Sequence, residues 1–122
     1  MNTFTWLLLG HFVGDWILQN DWMAKGKKKG LLNPAGMAHY AIYTAAIICA
    51  LKIPGALDEG WMPYLVPGLM VFVSHWLIDA TDGVDRWMRL YRQTHLEIVR
   101  LMVDQTLHLL VLVVLVEFIR VN

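Results

Sequence analysis

The chain has 122 residues, 57% hydrophobic and 16% charged, with ten basic and ten acidic side chains. An average soluble domain is about 45–50% apolar and about 25% charged, and a chain long enough for only one core has no interior in which to hide that excess. The even charge balance gives no reason to expect nucleic acid, and a single cysteine, Cys49, excludes an intramolecular disulfide.

Four runs approach the roughly 20 apolar residues needed to cross a bilayer. They predict an all-α, four-transmembrane-helix bundle forming a single transmembrane domain over residues 1–122. The first run covers about 4–23. It has no basic n-region and no small-residue cleavage site, and it contains His11 and Asp15, so it reads as a retained helix and not as a signal peptide. Gly10 and Gly14 within it would let a neighbouring helix approach closely. The second run, about 34–52, opens at Asn33-Pro34, a cap followed by proline in the first turn, and ends before Pro54-Gly55. Cys49 inside it reads as a small buried hydrophobe. The third, about 62–81, starts at Trp61-Met62-Pro63 and ends at Asp82-Gly83. Residues 85–97 (DRWMRLYRQTHLE) are too polar to cross. Trp87, Leu90 and Tyr91 share one helical face and the arginines mostly take the other, which predicts a short interfacial amphipathic helix, with His95 and Glu97 solvated. The fourth run covers about 98–118.

Charge in the loops sets an expected orientation. Lys25, Lys27, Lys28 and Lys29 lie between the first and second runs, and Arg86, Arg89, Arg92 and Arg100 between the third and fourth. The loop between the second and third carries Asp58 and Glu59 instead. The positive-inside rule places both basic loops in the cytoplasm and both termini on the outer side. Trp6 and Trp61 then fall at the outer interface, Trp22 and Trp87 at the inner one.

Ionisable groups at mid-bilayer cost about 2.5–3.5 kcal/mol on insertion scales, so each needs a reason. His11, Asp15 and Gln19 are spaced by four in the first run; His75 and Asp79 are four apart in the third, with Asp82 three further on; Asp104 and His108 are four apart in the fourth; His39 stands alone in the second. Residues three or four apart share a helical face, so an imidazole and a carboxylate can converge on one ion at about 2.0–2.2 Å. Antiparallel packing brings all of these groups to the cytoplasmic half. No lysine or arginine lies within the spans to pair with the carboxylates, and Arg100 is nearest, at the rim. Unpaired buried carboxylates neutralise or bind cations. His11, Asp15, His39, His75, Asp79, Asp104 and His108 are therefore the expected metal ligands, more than one tetrahedral ion needs, which favours a dinuclear site. Gln19 and Gln105 are expected outer partners or helix glue. The donor set suits zinc first, or iron or manganese. A hydrogen-bonded polar network without metal is the competing reading.

The pattern His11-x-x-Gly14-Asp15-x-x-Leu18-Gln19, followed by Trp22 and a basic loop, resembles the opening of the domain of unknown function 3307 family of small bacterial and phage integral membrane proteins. His39, His75-x-x-x-Asp79 and Asp104-Gln105-x-x-His108 are similar to that family's other polar positions. The resemblance spans nearly the whole chain and implies a four-helix protein of the bacterial inner membrane, with no activity to carry over. The His/Asp spacing near helix ends is also distantly similar to the membrane-bound metal-dependent hydrolases.

Three functions fit these residues. The first is a membrane-embedded metal-dependent hydrolase of a lipid or lipid-linked substrate, with Asp82 as base or outer ligand and the basic loops attracting anionic lipid headgroups. The second is a divalent metal-ion transporter, which on four short helices would need to be a homo-oligomer. The third is a non-catalytic membrane module fixed by its polar cluster.

Overall fold

The computed structural model describes residues 1–121, all-α and without strand among them. Helix α1 spans Thr3–Phe12 and is capped by the Asn2 side chain, which accepts from the Thr5 N–H at 2.9 Å. It runs directly into a π-helical turn, Val13–Ile17. The chain breaks at Leu18, and Asn20 caps a separate short helix, α2 (Asp21–Gly26), accepting from the Met23 N–H at 3.0 Å. Helix α3 spans Pro34–Lys52 with Asn33 as its cap. A 3₁₀ turn, Met62–Tyr64, leads into α4 (Leu65–Ala80). Then come α5 (Gly83–Leu90) and α6 (Glu97–Val121).

Three helical segments are long and apolar enough to cross a membrane: Pro34–Lys52, Met62–Ala80 and Glu97–Val121. Pro34–Lys52 and Met62–Ala80 lie at the expected second and third spans, about 34–52 and 62–81, and the last begins one residue earlier than expected and runs further. The first expected span differs. Its continuous helical path ends at Ile17, roughly 22 Å of axis at about 1.5 Å per residue, against a hydrocarbon core of about 30 Å. Asn20 followed by Asp21 is a capping signal, so the apolar residues beyond it start a new helix instead of extending the old one. The interfacial segment is also shorter than expected: α5 stops at Leu90, and residues 91–96 form a turn in which Arg92 takes a positive φ of 54°.

The packing is inside-out. Large apolar side chains such as Ile17, Leu69, Leu110 and Val114 face outward, whereas His11, Asp15, His39, His75, Asp79, Gln105 and His108 are buried. Helix α3 is central, packed against α1, the π turn, α2 and α4, while α6 closes the bundle against α1 and α4. One half of the interior is apolar, built from Leu7, Ile47, Leu51, Val71, Leu112 and Leu115. The other half is the polar cluster. Cys49, expected to be buried, is exposed on the outer face of α3, because Ile47 and Ala50 take the inward positions.

Close approach of α1 to α3 depends on Gly10, where an added Cβ would meet Ala50 Cβ at 2.7 Å and Ala46 O at 3.1 Å. Gly10→Ala should therefore destabilise the detergent-solubilised protein by about 1–3 kcal/mol, the usual effect of overpacking. Gly68→Ala on α4, whose nearest neighbour would be Ile48 Cδ1 at 3.6 Å, should be neutral or stabilising by up to about 1 kcal/mol. Thermal unfolding of both variants checks the contrast.

Candidate metal centre

The cluster is built from four helical segments, each contributing side chains from one face. The π turn is what delivers Asp15. Gly14 packs flush on α3, where an added Cβ would stand 3.0–3.1 Å from Tyr43 and Ala46, and the wide turn directs the adjacent carboxylate inward, leaving Asp15 3% exposed. Wide turns of this kind recur at functional sites. Helix α3 supplies His39, α4 supplies His75 and Asp79, and α6 supplies Asp104, Gln105 and His108.

Asp15, His39, His75 and Asp79 each offer a ligand atom, and the four atoms lie within 4.8 Å of one another, all four residues buried. The pairs are close: His39 Nε2 is 3.0 Å from His75 Nε2, 3.2 Å from Asp15 Oδ1 and 3.4 Å from Asp79 Oδ2. His75 Nε2 is 3.5 Å from Asp79 Oδ2 and 3.7 Å from Asp15 Oδ1. An ideal tetrahedral shell with bonds of about 2.0–2.1 Å has ligand-to-ligand edges of about 3.3–3.4 Å. The measured separations bracket that value without any rearrangement of the backbone.

A second group, Asp15, Asp104 and His108, meets the same proximity criterion and shares Asp15 with the first. His108 Nδ1 lies 2.9 Å from the Asp104 carbonyl oxygen. A carbonyl only accepts, so Nδ1 carries the proton and Nε2 presents its lone pair, as in the usual orientation of a ligating histidine. That Nε2 is buried without a hydrogen-bond partner, as is Asp15 Oδ1. These lone pairs face a shared interior, the Asp15 oxygen 3.2 Å from His39 Nε2, and a cation there would satisfy them.

His11 behaves differently from the expectation of a ligand. Its Nε2 lies 2.8 Å from Gln105 Oε1 and its Nδ1 3.0 Å from the Tyr43 hydroxyl. The amide oxygen only accepts, so His11 Nε2 donates to it and Tyr43 donates to His11 Nδ1. Gln105 in turn donates through Nε2 to Asp15 Oδ2 at 2.9 Å and to Asp104 Oδ2 at 3.2 Å. Both His11 nitrogens are thus occupied, and the relay Tyr43–His11–Gln105 fixes the Asp15 carboxylate from behind while leaving Oδ1 free. Gln105 sits where an outer partner was expected. Gln19 is partly buried at the end of the broken first helix and makes no hydrogen bond through its Oε1.

Two expectations about charge change. Lys27 reaches the cluster, its Nζ 2.7 Å from Asp79 Oδ2, with its side chain only 13% exposed. It belongs to a loop and not to a span, which is why counting charges within apolar runs missed it. Asp82, expected as base or outer ligand, lies outside both groups. It is exposed and engaged by Arg86 at 2.9 Å and Arg89 at 3.7 Å, and the hydrogen bond from Arg86 holds its carboxyl below the usual range.

Tyr43 is the principal residue that the sequence reading passed over. Besides donating to His11, its ring stacks on His75 with centroids 3.8 Å apart and planes at 16°. It stands four residues after His39, the same spacing that marked the other pairs. At the loop end, a cavity of about 250 Å³ reaches the cluster through Asp79 and Asp104, its other walls including Lys27, Lys28, Val84 and Arg100.

Residues 3–122 match the family described as "Protein of unknown function (DUF3307)". No curated protein and no solved structure matches the chain.

The relay makes a graded prediction. Gln105→Leu leaves His11 and the Asp15 carboxylate without their partner and should cost at least about 2 kcal/mol of stability. Tyr43→Phe removes one donor and should cost about 1 kcal/mol. Chemical denaturation in detergent reads both.

Proposed function

The chain belongs to the DUF3307 family, whose description carries no activity, and from its site we propose a membrane-embedded metal-dependent hydrolase acting on a lipid or lipid-linked substrate. The observation that carries this reading is the four-atom group of His39, His75, Asp15 and Asp79, in which the two histidine nitrogens stand 3.0 Å apart and 3.2–3.7 Å from the carboxylate oxygens. The first ion would take these four ligands. A second would be held by Asp104 and His108, with Asp15 within reach of both groups, and a pair of ions would supply the chemistry of two-metal hydrolytic sites. Nitrogen and oxygen donors without thiolate suit zinc first, then iron or manganese.

Bound divalent metal supplies Lewis acidity and lowers the pKa of its water at neutral pH. The chain's own contribution is orientation. Gln105 and His11 hold Asp15, the Asp104 carbonyl sets the His108 tautomer, and Tyr43 supports the His75 ring. The cavity through Asp79 and Asp104 supplies the access that a purely structural metal does not require. Because this access is at one end of the bundle, a hydrolase fits the site better than a carrier, which needs a path to both faces.

The reading extends to topology. The first helix would lie within the bilayer as the fourth member of a single transmembrane domain, with both termini on the outer side. The basic loops, α5 and the site's mouth would then lie at the cytoplasmic leaflet of a bacterial inner membrane.

Elemental analysis of detergent-purified protein tests the site directly. About two transition-metal ions per chain are expected, falling to about one in Asp104→Ala and His108→Ala and to none in Asp15→Ala. His11→Gln and Asp82→Asn should retain the full complement. A wild-type content well below one ion per chain ends the proposal, and so does full loading of Asp15→Ala.

A further inference from the structure

The cavity beside the His/Asp cluster is ringed by three cations, Lys27, Lys28 and Arg100. Their placement is built into the fold. Gly26 packs so closely on Ala35 and Asn33 that no side chain would fit there, and a Cβ on Gly36 would stand 3.2 Å from the Lys27 Cα. The backbone of the basic loop is therefore pressed onto the start of α3, which turns the Lys27 side chain inward over Asp79. Arg100 is held in the wall by ion pairs with Asp85 and Glu97. Lys28 lines the cavity and has no ion-pair partner among the described residues.

The carboxylates that face these cations, Asp79 and Asp104, are also assigned to the metal centre. Glu97 lines the cavity too and, with Asp85, offsets Arg100. If Asp79 and Asp104 are taken up by metal, Lys27 and Lys28 are left over a small cavity without compensation, a setting that fits a compact anion with several oxygens. Phosphate matches it, since lysine and arginine bind its oxygens through charge-assisted hydrogen bonds. The surroundings of the mouth point to the source. Val84 of α5 lines the cavity and Met88 is fully buried, while Trp87, Leu90 and Tyr91 at the same end are exposed. Leu31 and Leu32, in the loop that carries Lys27, are exposed as well. Exposed aromatic and aliphatic side chains among cations are the composition of a surface seated at the level of lipid headgroups.

We propose that this cavity is the subsite for the phosphate of a membrane lipid headgroup, with Lys27 and Lys28 as its cationic ligands and the ion-paired Arg100 in its wall. The inference rests on the metal-centre reading and narrows its substrate to a phosphorylated lipid.

The test uses the full chain in neutral detergent micelles, with tryptophan fluorescence as the readout. The probes are dioctanoyl phosphatidic acid, dioctanoylglycerol and inorganic phosphate, and metal content is measured on the same samples. Phosphatidic acid should bind at least about tenfold more tightly than either other probe. Lys27→Gln should weaken its binding by about tenfold and Lys28→Gln by about threefold. Arg120→Gln, near the far end of α6, should change nothing. Lys28→Gln is the safer variant, since Lys28 forms no ion pair with a candidate ligand among the described residues and its loss should leave metal content unchanged. Equal binding of dioctanoylglycerol, or affinity unchanged in both lysine variants, overturns the phosphate subsite. Inorganic phosphate binding as tightly as phosphatidic acid overturns the lipid source. Metal-free wild-type protein removes the metal centre and this subsite with it, whereas metal-loaded protein blind to the lysines removes the subsite alone.

Discussion

The structure depends on the need to satisfy buried carboxylates in a bundle whose exterior is apolar. Asp15 shows how this is done. One of its oxygens accepts from Gln105, which is itself held by His11 and Tyr43, and the other faces His39 and His75. A carboxylate buried without such partners would carry a desolvation penalty comparable with the whole stability of a small domain. The helices are therefore arranged so that each brings part of the solution: a histidine from α3, a His/Asp pair from α4, and an Asp-Gln-x-x-His set from α6. Remove any one helix and the groups on the others lose their counterparts.

The division of the interior follows from this. The apolar half, around Leu7, Ile47, Val71, Leu112 and Leu115, packs by shape and could tolerate many hydrophobic exchanges. The polar half cannot, because hydrogen bonds with fixed donors and acceptors specify which side chain meets which. Small residues on the first helix, Gly10 and Gly14, bring its backbone near enough to α3 for the relay to close. The polar network thus fixes the register of the bundle, while the apolar half supplies contact area.

Much of this was legible in the sequence. Spacing by four placed His75 with Asp79 and Asp104 with His108, and the asymmetric distribution of lysine and arginine pointed to one common end. Asn33-Pro34 marked the start of α3, and Pro54-Gly55 lies just beyond its last residue, Lys52. What was hidden depended on the path of the backbone. A π turn leaves no clear compositional trace, so the first helix read as one straight span, although Asn20-Asp21 did announce a new start. Lys27 was out of view because a loop residue's reach depends on how the loop folds back, here governed by the contacts of Gly26 and Gly36. His11 shared the spacing of the ligands, yet which partner an imidazole takes is decided by the neighbours around it. Tyr43 followed His39 at the same interval and went unread only because a phenol was not sought among the ligands.

The π turn at Val13–Ile17 carries one more residue than an ordinary turn of the same height. Everything beyond it is rotated by roughly 100° relative to a continuous α-helix. This makes the segment intolerant of changes in length. A single deletion between Phe12 and Leu18 would yield a smoother, more regular helix and at the same time turn the residues that follow it onto a different face. Insertions at the exposed residues Asp58, Glu59 and Gly60, by contrast, would only lengthen a connection. When relatives of this chain are aligned, a gap in the first of these segments therefore marks a helix in a different register, and a gap in the second only a different loop.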